Sequence, residues 1–216
     1  MQTAVLVGAG RGVGNAIARR LAQEEFTVVL AARRKEKLVE YVAELATEGI
    51  EADVQVIDAG DDASVADGFA AITARHGTVD VMAFNAAVME SGSVRELDAA
   101  DALHHWNVDV AGAIRCTQAV LPGQIEQGSG AVLFTGGRFG VHPNEYADFA
   151  CMSMDKAALR SYAKMLNESL SGTGVFAGIV EIMGNVGSSE GLMPGSIAET
   201  AWKLYEEHQG FEAFCE

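Results

Sequence analysis

Gly8-Ala9-Gly10-Arg11-Gly12-Val13-Gly14 is the stretch of this chain whose residue types most directly invite chemistry. A short apolar run, Thr3–Val7, leads into it, and a helical pattern leaves it. Glycines in such a place permit a tight turn, let backbone amides approach a diphosphate, and let the following helix pack close to the strand. The spacing is Gly8-x-x-x-Gly12-x-Gly14 rather than the more widespread three-glycine fingerprint, and a bare glycine turn without a ligand is the alternative. Arg11 in the loop, with Arg33 and Arg34 after the next apolar run, adds planar guanidinium forks that suit a phosphate. Their alternative is solvation at a helix start. Further along, Asp148, Met152 and Lys156 stand at i, i+4 and i+8, so the carboxylate could pair with the amine along one helix face.

The whole chain sets limits on that chemistry. It has 216 residues, 15 basic against 30 acidic, for a formal net charge of −15. Such a surface repels phosphate backbones and anionic lipid, so no nucleic-acid or membrane partner is expected, although a small anionic ligand held by amides and arginines remains compatible. No apolar run approaches the roughly 20 residues of a membrane span. Thr3–Val7 is too short for a signal peptide. Three cysteines, Cys116, Cys151 and Cys215, are too few and odd in number for a disulfide scaffold, so reduced thiols in a cytoplasmic protein are expected. With 49% hydrophobic residues and only 3 Pro, one domain with one continuous core is expected over residues 1–216.

The elements that must position these residues follow from periodicity. Strands are predicted at Thr3–Val7, Phe26–Ala31, Asp53–Ile57, Val79–Phe84, Ala131–Thr135 and Val175–Ile182, with a short one possible at Phe211–Cys215. Helices are predicted at Asn15–Glu25, Arg34–Glu48, Ala63–His76, about Asp98–Val120 with Pro122 just past its end, Phe149–Ser171 and Ile197–His208. A glycine-rich loop is expected from Gly136 to Glu145. Strands alternating with helices imply crossover units, hence a doubly wound α/β fold with a parallel sheet covered on both faces.

Several motifs then appear in a familiar order. The glycine loop resembles that of the short-chain dehydrogenase/reductase family. Asp58-Ala59 in VIDAG stands where that family places an acid contacting adenine, and Asn85-Ala86-Ala87 resembles its Asn-Asn-Ala-Gly. Asn107 in HHWNVDVAG looks like the family's helix asparagine, and Lys156 in DKAALRSYAK like its active-site lysine. The resemblance covers nearly the whole chain. It implies a Rossmann-like fold, a nicotinamide cofactor and oxidoreductase activity. The cofactor residues it implies are Gly8, Gly10, Arg11, Gly12, Val13, Gly14, Arg33, Arg34, Asp58, Ala59, Asn85, Ala86, Ala87 and Lys156. An acid ending the second strand would favour NAD, but Ala32 stands there, followed by two arginines, so NADP is expected over NAD.

The catalytic half departs from the pattern. In that family a Ser, a Tyr and a Lys carry the redox chemistry, with the Tyr four residues before the Lys. Met152 occupies the tyrosine place and Gly137 the serine place. Pro-Gly after the sixth strand is replaced by Glu181-Ile182-Met183-Gly184-Asn185, and a short loop precedes the last helix, so an open, shallow site is expected. His142, Glu145, Tyr146 and Asp148 lie in the neighbouring loop, and Tyr146 is the best replacement donor among them, beside Asn107 and Lys156. Tyr146 packing its loop, Asn107 as a polar helix residue and Lys156 as a solvated lysine are the alternatives. Cys151 points about 100° away from Met152 on a helix and reads as a small apolar residue.

Two functions remain open on these grounds. One is an NADP-dependent oxidoreductase with an atypical site acting on a small-molecule substrate. The other is a non-redox protein on the same fold, such as a cofactor-binding sensor, a partner subunit or an enzyme of other chemistry. The long helices carry more apolar residues than one sheet face needs (Ala111, Ile114, Ala119; Ala157, Ala158, Leu159, Met165, Leu166), so a homodimer or homotetramer is expected, unless those residues face only the sheet.

Overall fold

The computed structural model describes residues 2–216. Strand β1 (Thr3–Val7) is buried at every position. Its neighbours are β2 (Thr27–Ala32) on one side and β4 (Val81–Phe84) on the other, both parallel to it. With β3 (Ala52–Val56), β5 (Gly130–Gly137), β6 (Val175–Ile182) and β7 (Glu212–Cys215), the sheet has seven strands in the order β3-β2-β1-β4-β5-β6-β7, all parallel. The order reverses between β1 and β4, which opens a crevice at the carboxyl ends of the strands.

Two cores follow from period-two alternation in the strands. Leu6, Val28, Leu30 and Leu133 point to one face, where α1 (Val13–Gln23), α2 (Lys35–Ala46) and α8 (Pro194–Glu207) pack with Ile17, Leu38 and Ile197. Val5, Val29, Phe134 and Ile179 point to the other, under α3 (Asp62–His76), α5 (Ala111–Gln127) and α7 (Ala150–Ser169), with Phe69, Cys116 and Leu159. Among the described residues no helix is long and apolar enough to cross a membrane.

Three expectations are corrected by tertiary context. The helix predicted from Asp98 to Val120 is two, α4 (Ala99–Asp109) and α5, meeting at Val110. Arg115 Nη1 donates to Asn107 O at 2.9 Å, taking the carbonyl that Ala111 N–H would use in a continuous helix. Pro122 lies inside α5 rather than beyond it. The last turn persists because the buried Gln124 amide donates to Val79 O at 3.0 Å and Ala131 O at 3.2 Å, and Gly128, at φ 72°, caps the end. The predicted Gly136–Glu145 loop is instead the end of β5, a four-residue α6 (Arg138–Val141) and a 3₁₀ turn at Pro143–Glu145.

Candidate active site

At the end of β1, Gly8 adopts φ 84°, and a Cβ there would overlap the backbone of Ala86, so glycine alone brings the two loops together. A Cβ on Gly10 or Gly12 would meet nothing within 4 Å, leaving an open cradle over the start of α1. The first turn of α1 has no acidic residue and no side-chain cap, so its positive end is compatible with an anion, although the Asn15 amide already donates to Gly10 O at 2.8 Å. From this loop a chain of hydrogen bonds crosses the crevice. Asn85 Nδ2 donates to Gly8 O at 2.9 Å, Thr135 Oγ1 donates to Asn85 Oδ1 at 3.1 Å, and Lys156 Nζ donates to Thr135 O at 2.8 Å.

Beside the cradle lies a cavity of about 230 Å³ lined by Ala32, Arg33, Arg34, Lys37, Ala59 and Ala86, with Gly8, Asn85 and Ala87 at its inner wall. Basic side chains at the end of β2 and the start of α2 thus line this space. Arg11 does not join them. Its guanidinium holds Glu44 of α2 at 2.6 Å, with Glu40 at 3.7 Å, and is largely exposed. Asp58 caps its own loop, accepting from Gly60 N at 3.0 Å, while Ile57 and Ala59 on either side line the cavity.

A second cavity, of about 590 Å³, continues from Val13 and Asn85 past Thr135, Gly136 and Gly137 to Phe149, Met152 and Lys156. Asn185 and Val186 close its far side. Lys156 is the only ionisable side chain in that lining. Met152 and Gly137 face the cavity as the helix and strand spacing requires. Tyr146 lies outside the lining. Its ring stacks on Phe139 at 4.5 Å with Arg138 above it at 4.8 Å, and its hydroxyl is buried without a partner. His142, Glu145 and Asp148 are exposed. Asp148 does not pair with Lys156, whose amine is committed to Thr135 O, and the acids around it are others.

Asn107 is spent elsewhere as well, its Nδ2 donating to Gly60 O at 2.8 Å and its Oδ1 accepting from Arg115 Nη2 at 2.8 Å. Two residues on, Asp109 is the group of α4 that bears on Lys156; it is buried, and its Oδ1 accepts from Val88 N at 2.8 Å. Sequence reading missed it, and missed Asp155 and Glu181, both buried too. A signal existed for Glu181, a lone acid in the apolar run Val175–Ile182. Burial pushes the Lys156 amine below the ordinary lysine range, against the opposing pull of Asp109, Glu181 and Asp155. Burial likewise raises Asp109, raises Asp155 to about 7 with the Asp109 charge adding to it, and raises Glu181 to about 7. For Glu181 the Gly137 amide and Arg160, 3.6 Å away, offset burial only in part.

The sheet order, the glycine cradle at β1 and the crevice at the strand ends define a doubly wound, Rossmann-like α/β protein. The family model for short chain dehydrogenase matches residues 2–188, and the chain belongs to that family. It is 33% identical over 180 residues to a putative ketoacyl reductase of Streptomyces coelicolor, a match covering 81% of this chain and 67% of the relative. An uncharacterized oxidoreductase, YvaG, of Bacillus subtilis is 27% identical over 174 residues, covering 81% of this chain and 64% of the relative. The chain thus spans about two thirds of the length of these two relatives. Among solved structures, an alcohol dehydrogenase from the archaeon Thermococcus sibiricus, complexed with 5-hydroxy-NADP, superposes with TM-score 0.85 at 25% identity, covering 99% of this chain and 95% of that one. A metagenomic short-chain oxidoreductase in complex with NADP gives TM-score 0.85 at 27% identity over 99% of this chain and 96% of that one.

Proposed function

We propose that this protein is an NADP-dependent oxidoreductase that interconverts a carbonyl and an alcohol on a small molecule, with an active site in which Met152 and Gly137 stand where its relatives' tyrosine and serine are expected. The observation that carries this reading is the hydrogen-bonded path Gly8–Asn85–Thr135–Lys156, which ties the phosphate cradle to a largely apolar cavity with one ionisable group. Gly10, Gly12, Val13 and Gly14 would hold the diphosphate, Arg33 and Arg34 the 2′-phosphate, Ala59, Ala86 and Ala87 the adenosine side, and Lys156 the nicotinamide ribose. When bound, the reduced nicotinamide supplies a hydride. The chain's part is to bind, to orient the carbonyl over Gly137, and to deliver a proton.

Calorimetry tests the reading. NADPH should bind more tightly than NADH, and Arg33→Asp should reduce or invert that preference. Binding of neither nucleotide overturns the proposal, and equal binding of both removes its NADP part. The absence of a tyrosine and a serine in the cavity lining favours a second reading, a non-redox cofactor sensor or partner subunit; NADPH binding without oxidation against any carbonyl would support it. A homodimer is part of the proposal. Leu159 and Leu166 face the sheet, but Leu103, Trp106 and Met165 stand out from α4 and α7. A cytoplasmic setting rests on three buried cysteines that are all unpaired.

A further inference from the structure

We propose that Lys156 is itself the proton donor of this site. The inference rests on the oxidoreductase reading above. Lys156 alone among the cavity's lining residues carries an ionisable proton, and hydrogen bonding to Thr135 O uses one of its three N–H groups. Three buried acids lie on the elements around it, none of them in an ion pair with Lys156. Asp109 from α4 and Asp155 from α7 are each buried with one oxygen unpartnered. Glu181 from β6 is 0% exposed, and neither of its oxygens has a well-formed hydrogen bond.

The other charged groups on these elements are accounted for. Arg160 of α7 lies 3.6 Å from Glu181 but is bound to Glu212 of β7 at 2.7 Å. His105 and His104 of α4 stand on the Asp109 side. Burial disfavours the charged form of these acids, and Asp155 and Glu181 are each raised to about 7. Gly136 belongs to the same arrangement. A Cβ at 136 would overlap the Glu181 carboxylate, so any side chain at that end of β5 is incompatible with this acid beneath it.

As a substrate carbonyl receives the hydride at carbon, its π pair moves to oxygen, and the new O–H bond forms with the proton leaving Lys156 Nζ. The N–H electron pair stays on nitrogen. Solvent entering the cavity then reprotonates the neutral amine. Burial lowers the Lys156 amine from its ordinary range, which favours its giving up a proton.

The test reads protonation directly and needs no substrate. In protein carrying ¹³C at lysine Cε, the five lysines are titrated by NMR, with Lys156→Arg assigning its signal. The Lys156 midpoint should lie below the other four. A midpoint equal to that of the other lysines overturns the proposal. In a second arm, Lys156→Arg keeps the charge but cannot give up its proton. At saturating NADPH it should lose about 10²–10⁴-fold in the rate at which NADPH reduces 9,10-phenanthrenequinone, an activated dicarbonyl. Turnover preserved in that variant, or none in the unmodified protein, overturns the donor role. Failure to bind NADPH overturns the oxidoreductase reading instead, and leaves the NMR result to be judged separately.

Discussion

Replacing Glu181 by Gln should change how stability depends on pH, and the size of the change follows from its surroundings. The carboxyl sits between β5 and α7 at 0% exposure, with room made by Gly136. Burial raises it from an ordinary 4.5 to about 7. Between those values the folded protein holds a proton that the unfolded chain has lost, so stability falls as pH rises through this window. At 1.36 kcal/mol per pH unit, the Glu181 contribution costs about 2–3 kcal/mol between pH 5 and pH 8. Gln is nearly isosteric and does not titrate. Urea denaturation of both proteins at pH 5, 6, 7 and 8 should therefore show the variant gaining about 2–3 kcal/mol relative to the unmodified protein across the series. Parallel pH dependences would refute the reasoning, because they would mean that Glu181 is ionised in the fold or already solvated.

Gly136→Ala should destabilise the protein by about 1–3 kcal/mol through overlap with the Glu181 carboxylate. Adding Glu181→Ala should return part of that loss in a double-mutant cycle, and strict additivity would argue against the contact. Ala158→Glu on the outward half of α7 should convert a dimer to monomers by light scattering, and a monomeric unmodified protein at micromolar concentration would defeat the dimer proposal. Cys116 is buried, with its thiol pushed up to about 12, so native protein should show no reaction of this residue with a thiol reagent until urea is added; fast labelling at pH 8 would contradict the burial.

Local pattern alone determined most of the architecture. Thr3–Val7 and Val175–Val180 are buried on both faces and read as mostly apolar runs, so their strand character and the alternation with helices needed no knowledge of contacts. The glycine spacing at 8, 12 and 14 marked the loop, and at Gly8 the backbone of Ala86 leaves no room for a side chain. Met152 four residues before Lys156 was legible in the same way. The rest of the site depended on packing. Asp109 and Asn107 are two residues apart on one helix, and only the Arg115 guanidinium binding Asn107 and the Val88 amide binding Asp109 decide which of them turns toward Lys156. Arg11 left the phosphate group because α2 brings Glu44 within 2.6 Å, a contact between residues 33 positions apart. Glu181 and Gly136 are 45 positions apart in the chain but paired across β5 and β6, so a missing side chain on one strand became the space for a buried acid on the other. Such long-range pairings carry no periodic signal, because they are fixed by which surfaces meet when the two cores close over the sheet.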